Sequence, residues 1–398
     1  VSDSRLLSRP SLRWALPRLF LGTLLSGLFL SGCSSFNLNS INPFVSSSGP
    51  KMAELKTLPA AAPANVLWRE NLGKAGNYVL TPAIVGNAVY LASVNGAVLR
   101  VEEGAVRWRI NAEHSLSGGV GSDGDLVVVG SPKGDVLAFD AKDGSLRWKA
   151  QASSDILAPP ALGSGLVIVR SGDNRLFAFD ASDGKRKWIY QRPTPALSLR
   201  GFAAPLVADR YVFSGFPGGK LVAVTVNNGA LAWEGTVAIP KGATELDRIA
   251  DISSAPVIVD NMLCAVAYQG RLACFDLTSG SLMWTRDISS ATGIAIDRRY
   301  VYVADEKGTV HCLERATGNS VWKQDALFYR SVSAPAVLGD SIAVGDVQGI
   351  VHFLSRSDGA FVARVATDGG AIVAPPQNAG GKALVQTQNG GVFLIDAP

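Results

Sequence analysis

Hydrophobic positions take two forms along this chain. Residues 19–30 make one predominantly apolar run, preceded by arginines and followed by a stretch to residue 64 with no sustained apolar period. From residue 65 onward the apolar positions fall in short runs of four or five, each closed by Gly, Asn, Asp or Pro. Runs of that length bounded by turn residues predict β-strands; a helix would need 10–12 residues of 3.6-period patterning. Residues 158–190 show one full unit: an Ala-Pro start, Leu166-Val167-Ile168-Val169, a turn at Asp173-Asn174, Leu176-Phe177-Ala178-Phe179-Asp180, a turn at Asp183-Gly184, then Lys187-Trp188-Ile189.

That unit recurs. An aromatic residue closes it at Trp68, Trp108, Trp148, Trp188, Trp233, Trp284, Trp322 and Phe361, with spacings of 40, 40, 40, 45, 51, 38 and 39 residues. Between the second and third strands stand Asn95-Gly96, Lys133-Gly134, Gly218-Gly219, Gln269-Gly270, Lys307-Gly308, Gln348-Gly349 and Asn389-Gly390. Between the third and fourth stand Asp143-Gly144, Asp183-Gly184, Asn228-Gly229, Ser279-Gly280, Thr317-Gly318 and Asp358-Gly359. Glycine supplies the positive φ of tight hairpins, so each unit reads as a four-stranded antiparallel meander. Four strands in about forty residues are a propeller blade; helical and leucine-rich repeats lack two glycine hairpins per unit. Seven units are complete, and an eighth, starting at Ala374-Pro375, stops after its third strand. Residues 65–69 carry the Trp of a fourth strand with nothing before it. The expected fold is all-β: a single eight-bladed β-propeller over residues 65–398, its ring closed by the N- and C-terminal strands.

The leader changes the picture of compartment and charge. Arg5, Arg9, Arg13 and Arg18 stand against Asp3 ahead of a 12-residue apolar core, which is too short to span about 30 Å of hydrocarbon as a permanent helix. Leu30-Ser31-Gly32-Cys33 ends that core and resembles the bacterial lipobox. The resemblance implies a signal peptide over residues 1–32 and acylation of Cys33 by a diacylglyceryl group and an N-acyl chain such as palmitate, a durable anchor. Ser34, where a retention signal would resemble Asp, implies sorting to the outer membrane. Residues 33–64 then read as an acylated flexible tether with a reach on the order of 30 Å. Without the leader the formal net charge falls from +4 to +1, so no basic nucleic-acid surface is expected.

Little chemistry is on offer. The Trp positions are expected to pack blade on blade, and the glycine turns lack the helix N-terminus of a phosphate cradle. His311 and His352 occupy the same place in successive third strands, where other units hold Leu137 and Phe177, and read as packing residues rather than metal ligands. His114 has no nucleophile context. Cys264 and Cys274 flank one hairpin; whether they pair depends on register, and Cys312 is left over either way.

The stretch Gly134-Asp135-Val136-Leu137-Ala138-Phe139-Asp140-Ala141-Lys142-Asp143-Gly144-Ser145-Leu146-Arg147-Trp148 resembles the repeat of bacterial quinoprotein dehydrogenases. A non-enzymatic family shares it: the BamB lipoproteins of the outer-membrane β-barrel assembly machine, the BAM complex, which the lipobox, repeat number and length resemble over essentially the whole chain. The dehydrogenases use adjacent cysteines and a Ca²⁺ site, and Cys264, Cys274 and Cys312 are nowhere vicinal. No catalytic residue, cofactor or metal is therefore assigned. The alternative is a periplasmic quinoprotein-like or ligand-binding propeller.

The residues themselves single out one region. From the outer aromatic to the proline opening the next unit there are 11 residues after Trp148, 13 after Trp322 and 14 after Trp68 and Phe361, but 17 after Trp188 and 23 after Trp233. The two long connections are consecutive and should emerge side by side. They hold Leu197, Leu199 and Arg200, and Asp247, Arg248 and Asp251, an apolar contact with a charged rim. Residues 196–201 and 243–251 also resemble that family in particular. The resemblance implies docking of this face on BamA through its periplasmic POTRA domains, contact with other BAM components, and presentation of unfolded outer-membrane protein substrates. It places the propeller in the periplasm, anchored to the outer membrane.

Overall fold

The computed structural model describes residues 51–58, 62–193, 195–201 and 203–398. The expected leader, its lipobox and Cys33 lie outside them. Every regular element of the described residues is a β-strand, and no helix among them is long and apolar enough to cross a membrane. The strands form eight separate four-stranded antiparallel sheets, the blades. Blade 1 starts at Ala83–Val85, blade 2 at Gly121–Ser122, blade 3 at Ala161–Gly163 and blade 4 at Leu206–Ala208. Blades 5 to 8 start at Val257–Val259, Ile294–Ile296, Ala336–Leu338 and Gln377–Ala379. First strands of successive blades lie side by side from blade 1 to blade 4 and from blade 5 to blade 8.

Ring closure is as the repeat arithmetic requires. Blade 8 takes three strands from the C-terminus, and its outer strand is Val66–Asn71, antiparallel to Gly391–Ile395 with Trp68 opposite Leu394.

The buried apolar residues divide into eight clusters, one per junction between neighbouring blades. Val128, Val136, Ala138 and Trp148 of blade 2, for example, meet Val167, Val169, Phe177 and Phe179 of blade 3. At the closing junction Leu384 and Val392 meet Leu91 and Leu99. The hydrophobic effect therefore acts between blades, and adding a blade adds an interface without thickening any core.

One device repeats around the ring. The indole N–H of Trp108, Trp148, Trp188, Trp284 and Trp322 donates to the backbone carbonyl of Ala141, Ala181, Val226, Arg315 and Arg356 in the next blade, at 2.7–3.1 Å. The same indole lies over the glycine of that blade's third turn: a Cβ on Gly184 (φ +72) would sit 2.6 Å from the ring of Trp148. Glycine is thus required there both by φ and by the indole against it.

Three details differ from the expectation. Blade 1 also has a third turn, the two-residue Glu103-Gly104 with φ of 51° and 77°, whose glycine faces Trp68. At Gln269-Gly270 the positive φ, 47°, falls on Gln269. Phe361 is not equivalent to the tryptophans: it pairs with Leu354, and the buried Ala363, opposite Phe353, takes their place. The physical reason is that blade 8 has no third turn, because its outer strand comes from the other end of the chain, so blade 7 has no turn for an indole to dock against.

Residues 51–58 and 62–64, part of the expected tether, lie against blades 6 and 7. The Ala53 N–H donates to the Phe328 carbonyl at 2.9 Å, Arg330 donates to the Ala53 carbonyl at 2.9 Å, and the Ala62 N–H donates to Val362 at 2.8 Å. Arg364 donates to the carbonyl of Lys56. Residues 51–58 and 62–64 thus act as a strap: the first stretch bonds the blade 6–7 connection and the second bonds the outer strand of blade 7, Phe361–Ala366.

Beneath the strap is a buried polar chain. Arg330, 2% exposed, bonds Asp346 at 2.7 Å, and Asp346 lies 3.0 Å from His352 Nε2. Arg364 Nε donates to His352 Nδ1 at 3.2 Å, which fits a neutral imidazole with its proton on Nε2. His311 makes the same bond to Asp305 in blade 6 at 3.0 Å. Each histidine thus fastens the aspartate that opens its own hairpin, a role that adds to packing.

Cys264 and Cys274 stand directly opposite in register and form a disulfide; Cys312 is free and buried, its thiol pushed up to about 12 by burial.

Candidate partner-docking site

Inter-blade connections and second turns emerge on the same face: in blades 1, 2, 4, 7 and 8 the residue leaving the outer strand bonds the glycine of that blade's second turn. Ala112, Ala152 and Val237 donate to Gly96, Gly134 and Gly219 at 2.8 Å. The two long connections join blades 3 and 4 (residues 192–205) and blades 4 and 5 (residues 237–256), so they are neighbours on this face.

The second connection is held by its own side chains. Asp247 accepts from the Thr244 N–H at 3.0 Å and the Thr244 hydroxyl at 2.8 Å, and these bonds keep its carboxyl below the ordinary range. Arg248 donates to the Gly242 carbonyl and to Glu245, both at 3.1 Å. Gly242, with φ +142, has no room for a side chain, since a Cβ would lie 2.1 Å from that of Asp247. The Gln269 amide, with its nitrogen turned toward them, reaches the Ile249 and Leu246 carbonyls at 2.9 and 3.1 Å. Asp247 and Arg248 remain exposed.

Asp251 is placed differently from the other five residues. It is 3% exposed, and its two oxygens accept from the Leu199 N–H at 2.6 Å and the Gly218 N–H at 3.0 Å. One carboxylate thereby ties together both long connections and the second turn of blade 4. Burial raises its pKa, against the pull of those two N–H groups and of Arg170. Arg170 itself is buried beneath the same junction, bonded to Gly215 at 2.5 Å and Asn174 at 2.9 Å and stacked 5.1 Å from the centre of Phe216; burial brings it down to about 10. Desolvation outweighs attraction for both groups, and their separate hydrogen bonds to Leu199, Gly218, Gly215 and Asn174 make a polar brace beneath the surface.

Above that brace lie the exposed groups. Leu197 is 44% exposed, Leu199 half-buried, and Arg200 exposed while reaching across to Asp155 of the blade 2–3 connection at 2.5 Å. Two apolar residues outside the sequence-derived set belong to the same surface: Leu246 at 67% and Ile239 at 61% are more open than Leu197. The signal available was an isolated large aliphatic in an otherwise polar or Pro-Gly loop. The resulting surface combines separated aliphatic tips with Arg200, Asp247 and Arg248 on a braced support, which suits protein docking.

The family model described as outer membrane protein assembly factor BamB matches residues 94–324. The chain is 42% identical over 394 residues to outer membrane protein assembly factor BamB of Bordetella pertussis, covering 98% of this chain and 99% of that one. It is 35% identical over 395 residues to the Escherichia coli protein of the same name, covering 96% and 99%. The crystal structure of BamB from Moraxella catarrhalis superposes with a TM-score of 0.79 at 31% identity, over 84% of this chain and 99% of that one. A quinohemoprotein alcohol dehydrogenase of Pseudomonas putida matches at a TM-score of 0.67 and 13% identity, over 84% of this chain and 76% of that one, a likeness of fold alone. A family model over more than half of the chain and identities of this level over nearly the full length place the chain in the BamB family of outer membrane protein assembly factors.

Proposed function

We propose that this protein is a lipid-anchored scaffold of the outer membrane, facing the periplasm, that supports assembly of β-barrel proteins without catalysing a reaction. Residues 1–32 act as the export signal, Cys33 as the acylated residue, and the residues that follow it, up to 64, as the tether to the propeller. The propeller docks on BamA, and through it joins the other BAM components, by the face carrying Leu197, Leu199, Arg200, Asp247 and Arg248, widened by Leu246 and Ile239. Asp251 acts from beneath as a positioning residue.

The observation that carries the reading is the pair of long, consecutive loops braced by one buried carboxylate. A preorganised loop face loses little conformational entropy on binding, which lets a modest number of exposed groups carry an interface. The non-catalytic part of the reading is supported by how the ionisable groups are used: Asp305, Asp346 and Asp247 are committed to hairpins and loops rather than converging on a cleft.

The test is co-purification from detergent-solubilised outer membrane. Leu197→Asp combined with Arg200→Glu should abolish recovery of BamA while leaving circular dichroism and melting temperature near the parent values. Undiminished recovery with a folded double variant would refute this site.

A further inference from the structure

The blade 4–5 junction breaks the pattern of the indole locks. Five tryptophans donate to the residue that follows the third strand's last aspartate or its counterpart, and at this junction the corresponding acceptor is the Leu277 carbonyl. Trp233 does not reach it. Its indole N–H donates to the Gly280 carbonyl at 3.0 Å, so that a Cβ on Gly280 would meet Nε1 at 2.6 Å, whereas at Gly184, Gly229, Gly318 and Gly359 it would meet the six-membered ring.

The sequence permits this at Gly235. Two residues after the five locked tryptophans stand Ile110, Ala150, Tyr190, Arg286 and Gln324, whereas a Cβ on Gly235 would lie 2.3 Å from the outer edge of the Trp233 ring. The indole folds back over the bare backbone and packs edge-on against Phe275, with centroids 5.1 Å apart. The place it vacates is a cavity of about 490 Å³ between blades 4 and 5, walled by Ala208, Tyr211, Phe213, Trp233, Phe275 and Leu277. It borders the first and third turns, on the face opposite the long loops. No side-chain or turn hydrogen bond of the described residues reaches the Leu277 carbonyl.

We propose that this cavity is a binding slot for an indole ring, stacked between the blades with its N–H on the Leu277 carbonyl. The molecule supplies the template itself: at five other junctions the equivalent space holds an indole bonded to the equivalent carbonyl. An incoming ring would regain the aromatic packing and the hydrogen bond that Trp233 forgoes. The ring could be that of a small free indole or of a tryptophan side chain on an extended partner segment, since the chemistry recognised is the same.

The test uses the mature, detergent-solubilised protein and titrates indole, 1-methylindole, N-acetyltryptophanamide and an extended peptide with one tryptophan, by calorimetry and ligand-observed NMR. Indole should bind, and 1-methylindole, which lacks the donor, should bind at least several-fold more weakly. Gly235→Ala should push Trp233 into the slot and weaken indole at least tenfold, with the melting temperature unchanged or higher. Ala208→Leu, which fills the cavity from the opposite wall, should do the same and serves if the first variant does not fold. A peptide that outcompetes indole and is lost in both variants assigns the slot to a partner's side chain; binding of indole without the peptide assigns it to a small molecule. No uptake of indole at millimolar concentration, or parental binding in both variants, would overturn the proposal.

Discussion

Asp251 shows how one residue can serve a surface to which it contributes no area. Two backbone N–H groups from different loops converge on its oxygens, and the burial that raises its pKa also leaves water no way to replace it. Asp251→Ala should cost about 1–3 kcal/mol by orphaning those donors. Hydrogen exchange should show protection lost at Leu199 and Gly218, and partner recovery should fall although every exposed contact is intact. Unchanged exchange at both amides would contradict the brace.

His352 sits in the opposite balance. Burial holds its imidazole below the ordinary 6.5, while the facing charges are Asp346, Arg330 and Arg364. The unfolded chain therefore takes up a proton below pH 6.5 that the folded chain resists, so stability rises with pH from the acid side and levels off above that value. Asp346, held below its usual range in the fold, adds stability above 3.8 that is lost as pH falls, in the same direction. His352→Phe, which installs the side chain that Phe177 carries at the same position of blade 3, should flatten the rise in melting temperature between about pH 5 and 7. Equal slopes in the two proteins would dismiss the histidine as the source.

At the scale of elements, hairpins were the most legible part of the sequence, because positive φ has few suppliers and Gly, Asn and Asp announce it. What escaped was register. Phe361 lies near the right spacing for an eighth lock, yet the bulge between Phe353 and Leu354 assigns that place to Ala363. Cys264 and Cys274 likewise carried no register until the strands paired them directly. Alkylation of the unfolded, unreduced protein should modify Cys312 and leave those two unlabelled.

The strap was invisible for a different reason. Residues 51–58 and 62–64 have no periodicity of their own; their placement comes from bonding to Phe328, Val362, Arg330 and Arg364, hundreds of residues away. The receiving loop adopts positive φ at Tyr329 and Ser331, 53° and 48°, conformations costly for non-glycine residues. Deleting residues 51–58 should cost on the order of 1–3 kcal/mol in denaturant unfolding. Arg330→Met, which strips Asp346 of its guanidinium inside the protein, should cost about 3–5 kcal/mol. A strap deletion as damaging as Arg330→Met would mean the arginine is held mainly by the strap.

For the whole molecule, closure is the cooperative step. Among the described residues, Gly391–Ile395 is the strand that pairs both with the preceding Lys382–Gln386 and with Val66–Asn71 from the other end of the chain. Truncation after Gln388 would leave Val66–Asn71 unpaired and expose the apolar faces of blades 1 and 7. We expect loss of the single unfolding transition and aggregation, seen by calorimetry and light scattering, well beyond the effect of removing the strap.

By itself the sequence determined the strands, the glycine turns, the number of blades and the exchange of ends, because these follow from local φ preference, short apolar runs and a count of repeats. It also pointed to the two long connections, since loop length is a sequence property. Tertiary structure alone decided that Asp251 lies beneath those loops, that the strap is seated, and that Trp233 leaves its slot. Each depends on which groups from distant segments meet once the ring closes, and contact across a junction leaves no periodic trace in the chain.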